Sequence, residues 1–282
     1  VTTISVDRVA ARQAEPQPPR GLLHDAWVIA RRGLLHMLRQ PEQLTDATIQ
    51  PVMFVVMFGY VFGGAIAVQG GSYREFLMGG IFAQTIVFTA FGVAMSLAND
   101  RKNQVVDRFR SLPISRGALL TGHSIANLLK AMLPILLMSL CGLAIGWRIR
   151  AGFVDAVIGY GVLVVFAFTM IWVGILLGSV VATPEGVQGI AFTVLFPLTF
   201  VASTFVPTDT MPGILKTIAN WNPVTTLADV LRIQFGNPRN PIPAGAPWSI
   251  RHPMAYTLIW LVGIISVCAP AAVRAYRRSI ER

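Results

Sequence analysis

Six apolar stretches, each close to the length that crosses a bilayer, constrain this chain more than any other feature. Crossing about 30 Å of hydrocarbon as a helix takes roughly 20 predominantly apolar residues. The stretches are Ala47–Val68, Phe76–Ala98, Ser124–Gly146, Phe153–Ala182, Val187–Val206 and Met254–Val273. With no water to receive backbone N–H and C=O groups inside lipid, such runs resolve as helices. Composition agrees: 54% of the 282 residues are apolar and 13% charged, against about 25% charged in soluble domains. Mean hydropathy is +0.61. The expected fold is therefore an all-α integral membrane protein with six transmembrane helices. The fourth run is long enough to require tilt or an extension past the bilayer. Only Thr183-Pro184-Glu185-Gly186 separates it from the fifth, which predicts a tight helical hairpin.

A net charge of +10 would suit nucleic-acid binding, but here the charge sits in short segments between apolar runs, and no nucleic-acid partner is expected. The basic residues are arginines apart from Lys102, Lys130 and Lys216. With the N-terminus inside, cytoplasmic segments hold Arg8, Arg12, Arg20, Arg31, Arg32, Arg39, Arg101, Lys102, Arg108, Arg110, Arg116, Arg274, Arg277, Arg278 and Arg282. External segments hold the smaller set Arg74, Arg148, Arg150, Lys216, Arg232, Arg239 and Arg251. The positive-inside bias thus places both termini in the cytoplasm, with the protein multi-pass in the plasma (inner) membrane. Residues 1–20 are polar and end in a proline-rich run, which reads as a disordered cytoplasmic tail. No apolar stretch precedes residue 21, so no cleaved signal peptide is expected.

Residues 21–40 are too charged to span. Leu23, Trp27, Ala30, Leu34 and Leu38 share a stripe opposite Asp25, Arg32, His36 and Arg39, the pattern of an amphipathic helix lying in the membrane interface. Residues 100–117 form the one long charged interval between spans. Val105, Val106, Phe109 and Leu112 line one side of a possible helix that Pro113 would end. A short basic helix with an apolar stripe suits docking on a cytoplasmic partner; the plainer reading is a basic loop that fixes topology. Residues 207–252 are the only sizeable external segment. Met211, Leu215, Ile218 and Trp221 define one short amphipathic helix behind Pro212, and Asn222-Pro223 breaks the chain. Thr226-x-x-Asp229 then offers a capping box for a second helix through Ile233. Both helices are expected to lie against the outer leaflet.

Several chemistries are excluded. The chain has no G-x-x-x-x-G-K-[ST] phosphate loop, no H-E-x-x-H, no Cys/His cluster at metal spacing and no G-x-S-x-G. The Gly122-His123-Ser124 triplet has no partner histidine for a hydrolase, so a serine near a helix start is the better reading. Apart from Asp155 at the start of the fourth, the spans lack carboxylates, which argues against proton or sodium coupling. Lys130 lies about 9 Å into its span and can snorkel to the headgroups or pair internally. Cys141 and Cys268, both inside apolar runs, are expected as free thiols. Gly59/Gly63, Gly142/Gly146 and Gly174/Gly178 allow close helix packing or a dimer contact. Phe54, Met57 and Phe58 in the first span, Phe88 and Phe91 in the second, and Phe196 and Phe200 in the fifth could line a path for bulky apolar ligands.

The arrangement resembles the ABC-2-type exporter permeases, most closely the daunorubicin-resistance permease type. The resemblance rests on Asp107–Arg116 (DRFRSLPISR), similar to that family's inner-loop signature, and on Asn222–Arg232 (NPVTTLADVLR), similar to its external Asn-Pro motif. Gln50-Pro51 and Phe62-Gly63-Gly64 add to it. It implies that residues 21–282 are an ABC-2 transmembrane domain exporting amphipathic drugs or lipid-like compounds; export of a polysaccharide or glycolipid is the alternative. It further implies two copies of a cytoplasmic ABC ATPase subunit, which would hold ATP and magnesium, and a second permease half, identical or a sister subunit. This chain would carry no cofactor and would not itself be an enzyme. Residues 100–117 would be the coupling helix, meeting the ATPase through Asp107, Arg108, Phe109, Arg110, Leu112, Pro113 and Arg116. Residues 21–40 would be the connecting helix, and the first, second and fifth spans would line the substrate path. Residues 207–252 would form re-entrant gate helices, with Trp221, Asn222, Pro223 and Asp229 at the external gate.

Overall fold

The computed structural model describes residues 41–64, 66, 68, 70–102, 116–181, 183–240 and 242–281. Among these residues the secondary structure is entirely helical: α1 (Pro41–Val61), α2 (Tyr73–Lys102), α3 (Arg116–Ala144), α4 (Phe153–Val180), α5 (Pro184–Ile190), a π-helical stretch (Ala191–Leu195), α6 (Phe196–Phe200), a 3₁₀ turn (Thr208–Thr210), α7 (Gly213–Asn220), α8 (Pro223–Gln234), α9 (Trp248–Arg251) and α10 (Pro253–Glu281). Residues 21–39, residues 103–115 and the N-terminal tail lie outside the described residues.

Among the described residues four helices are long and apolar enough to cross a membrane: α2, α3 over Ser124–Ala144, α4, and α10 over Pro253–Ala275. The first and fifth sequence runs behave differently. α1 begins at Pro41, six residues before the expected start, and ends at Val61, seven before the expected end. Among the residues whose side chains are described, its apolar stretch runs over Val52–Val61. Gly63 and Gly64 follow at once, and glycine is among the poorest residues at continuing a helix. The fifth run is helical only over 184–200, and it contains the π stretch. Pro197 explains that stretch: its ring would strike the carbonyl of Thr193 four residues back. The wider turn, in which the Phe196 N–H bonds the Ala191 carbonyl, relieves the clash. The turn before this segment is as short as expected, and Thr183 caps α5 by accepting the Gly186 N–H at 3.2 Å.

α2 is the central helix. It runs alongside α4 and is also touched by α1, α3, α5 and α8, and most of its length from Tyr73 to Ala98 is buried. The α2–α4 crossing is close because α4 presents Gly174 and Gly178 there. A Cβ on Gly174 would stand 2.5 Å from the Ala90 carbonyl oxygen, and one on Gly178 would stand 2.8 Å from that of Ala94. Without a hydrophobic effect between helices in lipid, such close packing supplies the association energy. Of the three Gly-x-x-x-Gly pairs, this is the one whose glycines both meet another helix's backbone; Gly146 already lies beyond α3 with φ +101°. The cysteines are free, as expected. α10 packs on α4 and α8 and otherwise faces outward.

Gly174→Leu is expected to overfill the α2–α4 crossing and cost about 1–3 kcal/mol. This would appear as a lower unfolding temperature of the purified protein, while Gly161→Leu, at a position with open space, changes it little.

Candidate functional site: aromatic ladder, buried ion pair and inner-end contacts

The phenylalanines of α1 and of the 184–206 region meet in one chain of rings. Phe62 stacks on Phe58 with centroids 5.1 Å apart. Phe58 stacks on Phe205 at 4.3 Å, with Phe54 beside both. Phe205 lies 5.2 Å from Phe200, and Phe200 stacks on Phe196 at 4.5 Å. Phe196 continues to Phe192 and meets Phe88 of α2 edge-on at 6.3 Å. Of the seven candidate path residues, Phe54, Phe58, Phe88, Phe196 and Phe200 are thus brought together. Met57 is outward-facing and outside the ring chain, while Phe91 packs elsewhere, against the Ala94, Ala98 and Val187 cluster. Phe62 and Phe192, each four residues from a candidate ring, and Phe205, beyond the end of α6, join the ladder as well. Their ring planes are mostly stacked or tilted, and the ladder's outer rim, Phe62, Phe192 and Phe200, is exposed.

At the Asn-Pro motif, Asn222 does two jobs. Its Oδ1 accepts the Val224 N–H at 2.8 Å, capping α8. Its Nδ2 donates to the Leu198 carbonyl at 2.7 Å, one of the last carbonyls of α6 that has no partner within its own helix. Pro223 takes the first helical position, where its missing N–H costs nothing. The cap expected at Thr226 therefore falls four residues earlier, at Asn222, and Thr226 Oγ1 donates back to the Pro223 carbonyl instead. Trp221 is half-exposed, and its carbonyl accepts the Tyr256 hydroxyl at 2.8 Å.

α8 also departs from expectation in its surroundings. It is buried from Val224 to Arg232 among α2, α4 and α10, rather than lying on the leaflet. Asp229 and Arg232, one helical turn apart, form a fully buried ion pair at 2.9 Å. Arg232 Nε donates to the Phe76 carbonyl at 2.9 Å, Nη1 to Ser203 Oγ at 2.9 Å, and Nη2 to the Ser203 carbonyl at 2.6 Å. Its guanidinium also lies 3.5 Å from the Phe76 ring centre. Asn240 Nδ2 donates to Asp229 and Ser203 Oγ, and its Oδ1 accepts the Thr208 N–H. Arg232, taken from sequence as one more external loop charge, is instead the centre of this network. Its lone D-x-x-R spacing in an apolar helix was the available signal.

A second arginine works in the same region. Arg74, at the start of α2, donates to the Gly59 carbonyl at 3.3 Å and the Ile145 carbonyl at 3.1 Å, at the C-terminal ends of α1 and α3, where a cation suits the helix dipole. It also covers the Tyr60 ring at 4.7 Å.

At the opposite end of α2, Arg101 Nη2 donates to the Ser179 carbonyl at 3.0 Å, and Lys102 pairs with Glu185 at 3.3 Å. Backbone N–H donation and then Lys102 hold the Glu185 carboxyl below the usual carboxylate range. The last turn of α2 is thereby joined to the α4–α5 turn immediately before residue 103. Asp107, Arg108, Phe109, Arg110, Leu112 and Pro113 lie outside the described residues, and α3 begins at Arg116. Among the described residues no group of three or more His, Cys, Asp or Glu could hold a metal ion.

Residues 24–235 match the ABC-2 type transporter family. Over 247 residues, 87% of this chain and 83% of the relative, the sequence is 33% identical to the daunorubicin resistance ABC transporter permease protein DrrB1 of Streptomyces coeruleorubidus. It is 23% identical over 250 residues, covering 88% and 86% respectively, to the "Probable doxorubicin resistance ABC transporter permease protein DrrC" of Mycobacterium tuberculosis.

Removing one partner of a buried ion pair leaves the other charge uncompensated, at about 3–5 kcal/mol. Arg232→Leu is accordingly expected to lower the unfolding temperature far more than Arg239→Leu. Asn222→Ala should cost about 1–2 kcal/mol through the lost cap, measured the same way.

Proposed function

The chain belongs to the ABC-2 type transporter family, and on that premise we propose that it is the membrane-spanning half of an ATP-driven exporter of amphipathic, largely apolar compounds, drugs or lipid-like molecules. The observation that carries this reading is the phenylalanine ladder. It joins the first and fifth sequence runs, is built from apolar rings, and has an exposed rim onto which a flat apolar ligand could stack. The names of the two relatives point to the same class of cargo.

In this reading a second permease half faces the first, and two cytoplasmic ATPase subunits hold ATP and magnesium and supply the work of hydrolysis. Both termini are cytoplasmic, in the plasma (inner) membrane. Residues 100–117 seat on the ATPase through Asp107, Arg108, Phe109, Arg110, Leu112, Pro113 and Arg116. Displacement of that stretch enters the domain through the last turn of α2. The Arg101–Ser179 and Lys102–Glu185 contacts pass it to the α4–α5 turn, and hence to the segment that carries Phe196 and Phe200. At the other end, Asn222 links that segment to the start of α8, so Trp221, Asn222 and Pro223 register its movement as the outer gate, with Asp229 anchoring the gate helix.

The test is efflux of a lipophilic fluorescent dye from cells expressing the chain together with its ATPase. Phe58→Ala combined with Phe196→Ala should reduce efflux several-fold while ATPase co-purification is unchanged. Unaltered efflux would remove the ladder from the path. Loss of glycan export from a deletion strain whose dye efflux is intact would instead carry the polysaccharide reading. Separately, Arg108→Glu or Arg110→Glu should weaken co-purification of the ATPase; full association and full ATPase stimulation in both variants would overturn the docking role.

A further inference from the structure

A stripe of α2 runs along the phenylalanine ladder. Tyr73, Leu77, Gly80, Gln84 and Phe88 recur at the three- and four-residue spacing that shares one helix face. The Tyr73 hydroxyl donates to the Phe205 carbonyl at 2.8 Å. Leu77 lies beside Gly59 of α1, where an added Cβ would be 3.9 Å from Leu77 Cδ2. Gly80 abuts the Thr204 carbonyl, and Phe88 meets the Phe196 ring edge-on at 6.3 Å. Gln84 stands one helical turn from each of these last two. Its place on the face is the interval between the Thr204 and Phe196 contacts, the stretch of chain that carries Phe200.

Gln84 is 5% exposed, and among the described residues its amide makes no hydrogen bond. The hydroxyls on either side are committed elsewhere. Thr85 donates to Met138 Sδ, Thr89 to the Thr85 carbonyl, Thr199 to the Leu195 carbonyl and Thr204 to the Thr199 carbonyl. A buried amide without a partner is destabilising. Gln84 lies about 16 Å along α2 from Tyr73, at a depth where a bilayer offers no water to meet it. An apolar side chain would occupy the same place at less cost, and native proteins seldom leave such a group unmet without a use for it.

Resting on the export reading above, we infer that Gln84 is a specificity-determining residue for the cargo, which is a neutral, flat, apolar molecule with a carbonyl or hydroxyl group on its ring edge. The phenyl rings of Phe196 and Phe200 take the faces of such a molecule, and Gln84 takes the polar atom on its edge. An amide both donates and accepts, so it serves a carbonyl through Nε2 and a hydroxyl through Oε1. It carries no charge, and it leaves the desolvation of an ammonium or a carboxylate largely uncompensated. Discrimination follows from the same asymmetry. A site built to hydrogen-bond a polar group rejects the analogue lacking it far more strongly than an apolar pocket rejects an added hydroxyl. A pure hydrocarbon would leave the amide bare.

The experiment measures ATPase stimulation of the purified complex of this chain with its ATPase, in nanodiscs, by fluorenone and by fluorene. The two compounds share a flat three-ring skeleton and differ by one ring carbonyl. The parent is expected to reach half-maximal stimulation at a several-fold lower membrane concentration of fluorenone than of fluorene. Gln84→Met, close in volume and without the amide, should erase that preference by weakening fluorenone, while fluorene acts at the parent's concentration or below it. The unfolding temperature of the same variant, with neither compound added, should stay level or rise, because a bare buried amide has been removed. A fall would overturn the inference by showing the amide held within the fold. An equal loss of response to both compounds, which marks a packing effect, or an undiminished preference for fluorenone would overturn it too. Stimulation of the parent by both compounds alike would overturn it and leave the export reading standing. Stimulation by neither would also overturn it, and together with absent dye efflux from cells it would remove the export reading as well.

Discussion

The buried guanidinium of Arg232 is the constraint around which one end of this molecule is arranged. A charge withdrawn from water is tolerable only if its donors are all engaged, and the partners available are spread widely along the chain. Phe76 comes from α2, Ser203 from the non-helical stretch after α6, Asp229 from the same helix, and Asn240, through Asp229 and Ser203, from the loop beyond α8. Satisfying one side chain therefore fixes four segments relative to each other. The neighbouring residues are cut to fit. A Cβ on Gly79 would lie 2.7 Å from Arg232 Cγ, and one on Gly80 would lie 2.1 Å from the Thr204 carbonyl oxygen, so the α2 backbone can approach both only without side chains. Directional bonds of this kind have few alternative arrangements, which makes the α2–α8 contact a rigid body.

The 184–200 segment is held by a different physics. Its π stretch, the proline behind it and its largely exposed circumference leave few directional bonds to neighbours. Asn222 grips Leu198 at one end and Lys102 meets Glu185 at the other, with rings between. Stacked and tilted phenyl contacts vary slowly in energy with small displacements, so a ladder of them can shift in register where an arginine network would have to break. A rigid α2–α4–α8–α10 body beside a compliant, ring-lined segment is a physical basis for the proposed movement, and it needs no charged group in the path.

How much of this was legible in the sequence follows from which forces decide each element. Apolar length decides spans, so α2, α4 and most of α3 and α10 are readable from composition to within a few residues. It does not decide how a run is interrupted: Gly63-Gly64 end α1 seven residues early, and Pro197 forces a π stretch, both through backbone geometry that hydropathy averages away. The Asn-Pro motif was visible, but two capping candidates competed, at Asn222 and Thr226. Asn222 won because it also satisfies a carbonyl 24 residues earlier, a long-range partner that no local pattern reveals. Arg232 was misplaced for the same reason. Counting loop arginines treats every charge as solvated, and this one finds its solvation inside the protein.

The same contrast explains why α7 and α8, joined by only two residues, part company. α8 contains an ion pair that lipid would reject, so it is driven toward the polar partners on α2 and the 201–208 stretch. Once there, its remaining surface is taken up by α4 and α10. α7 has no buried charge to satisfy: its lysine is paired at the surface with Asp209, and its outward stripe is isoleucine and tryptophan. Having no reason to enter the protein, it keeps that stripe on the outside, with Ile214 and Ile218 exposed. Asn222 stands where those two preferences meet. A displacement of either helix reaches the Leu198 carbonyl most directly through that residue, while Arg232 ties α8 to Ser203 beside it.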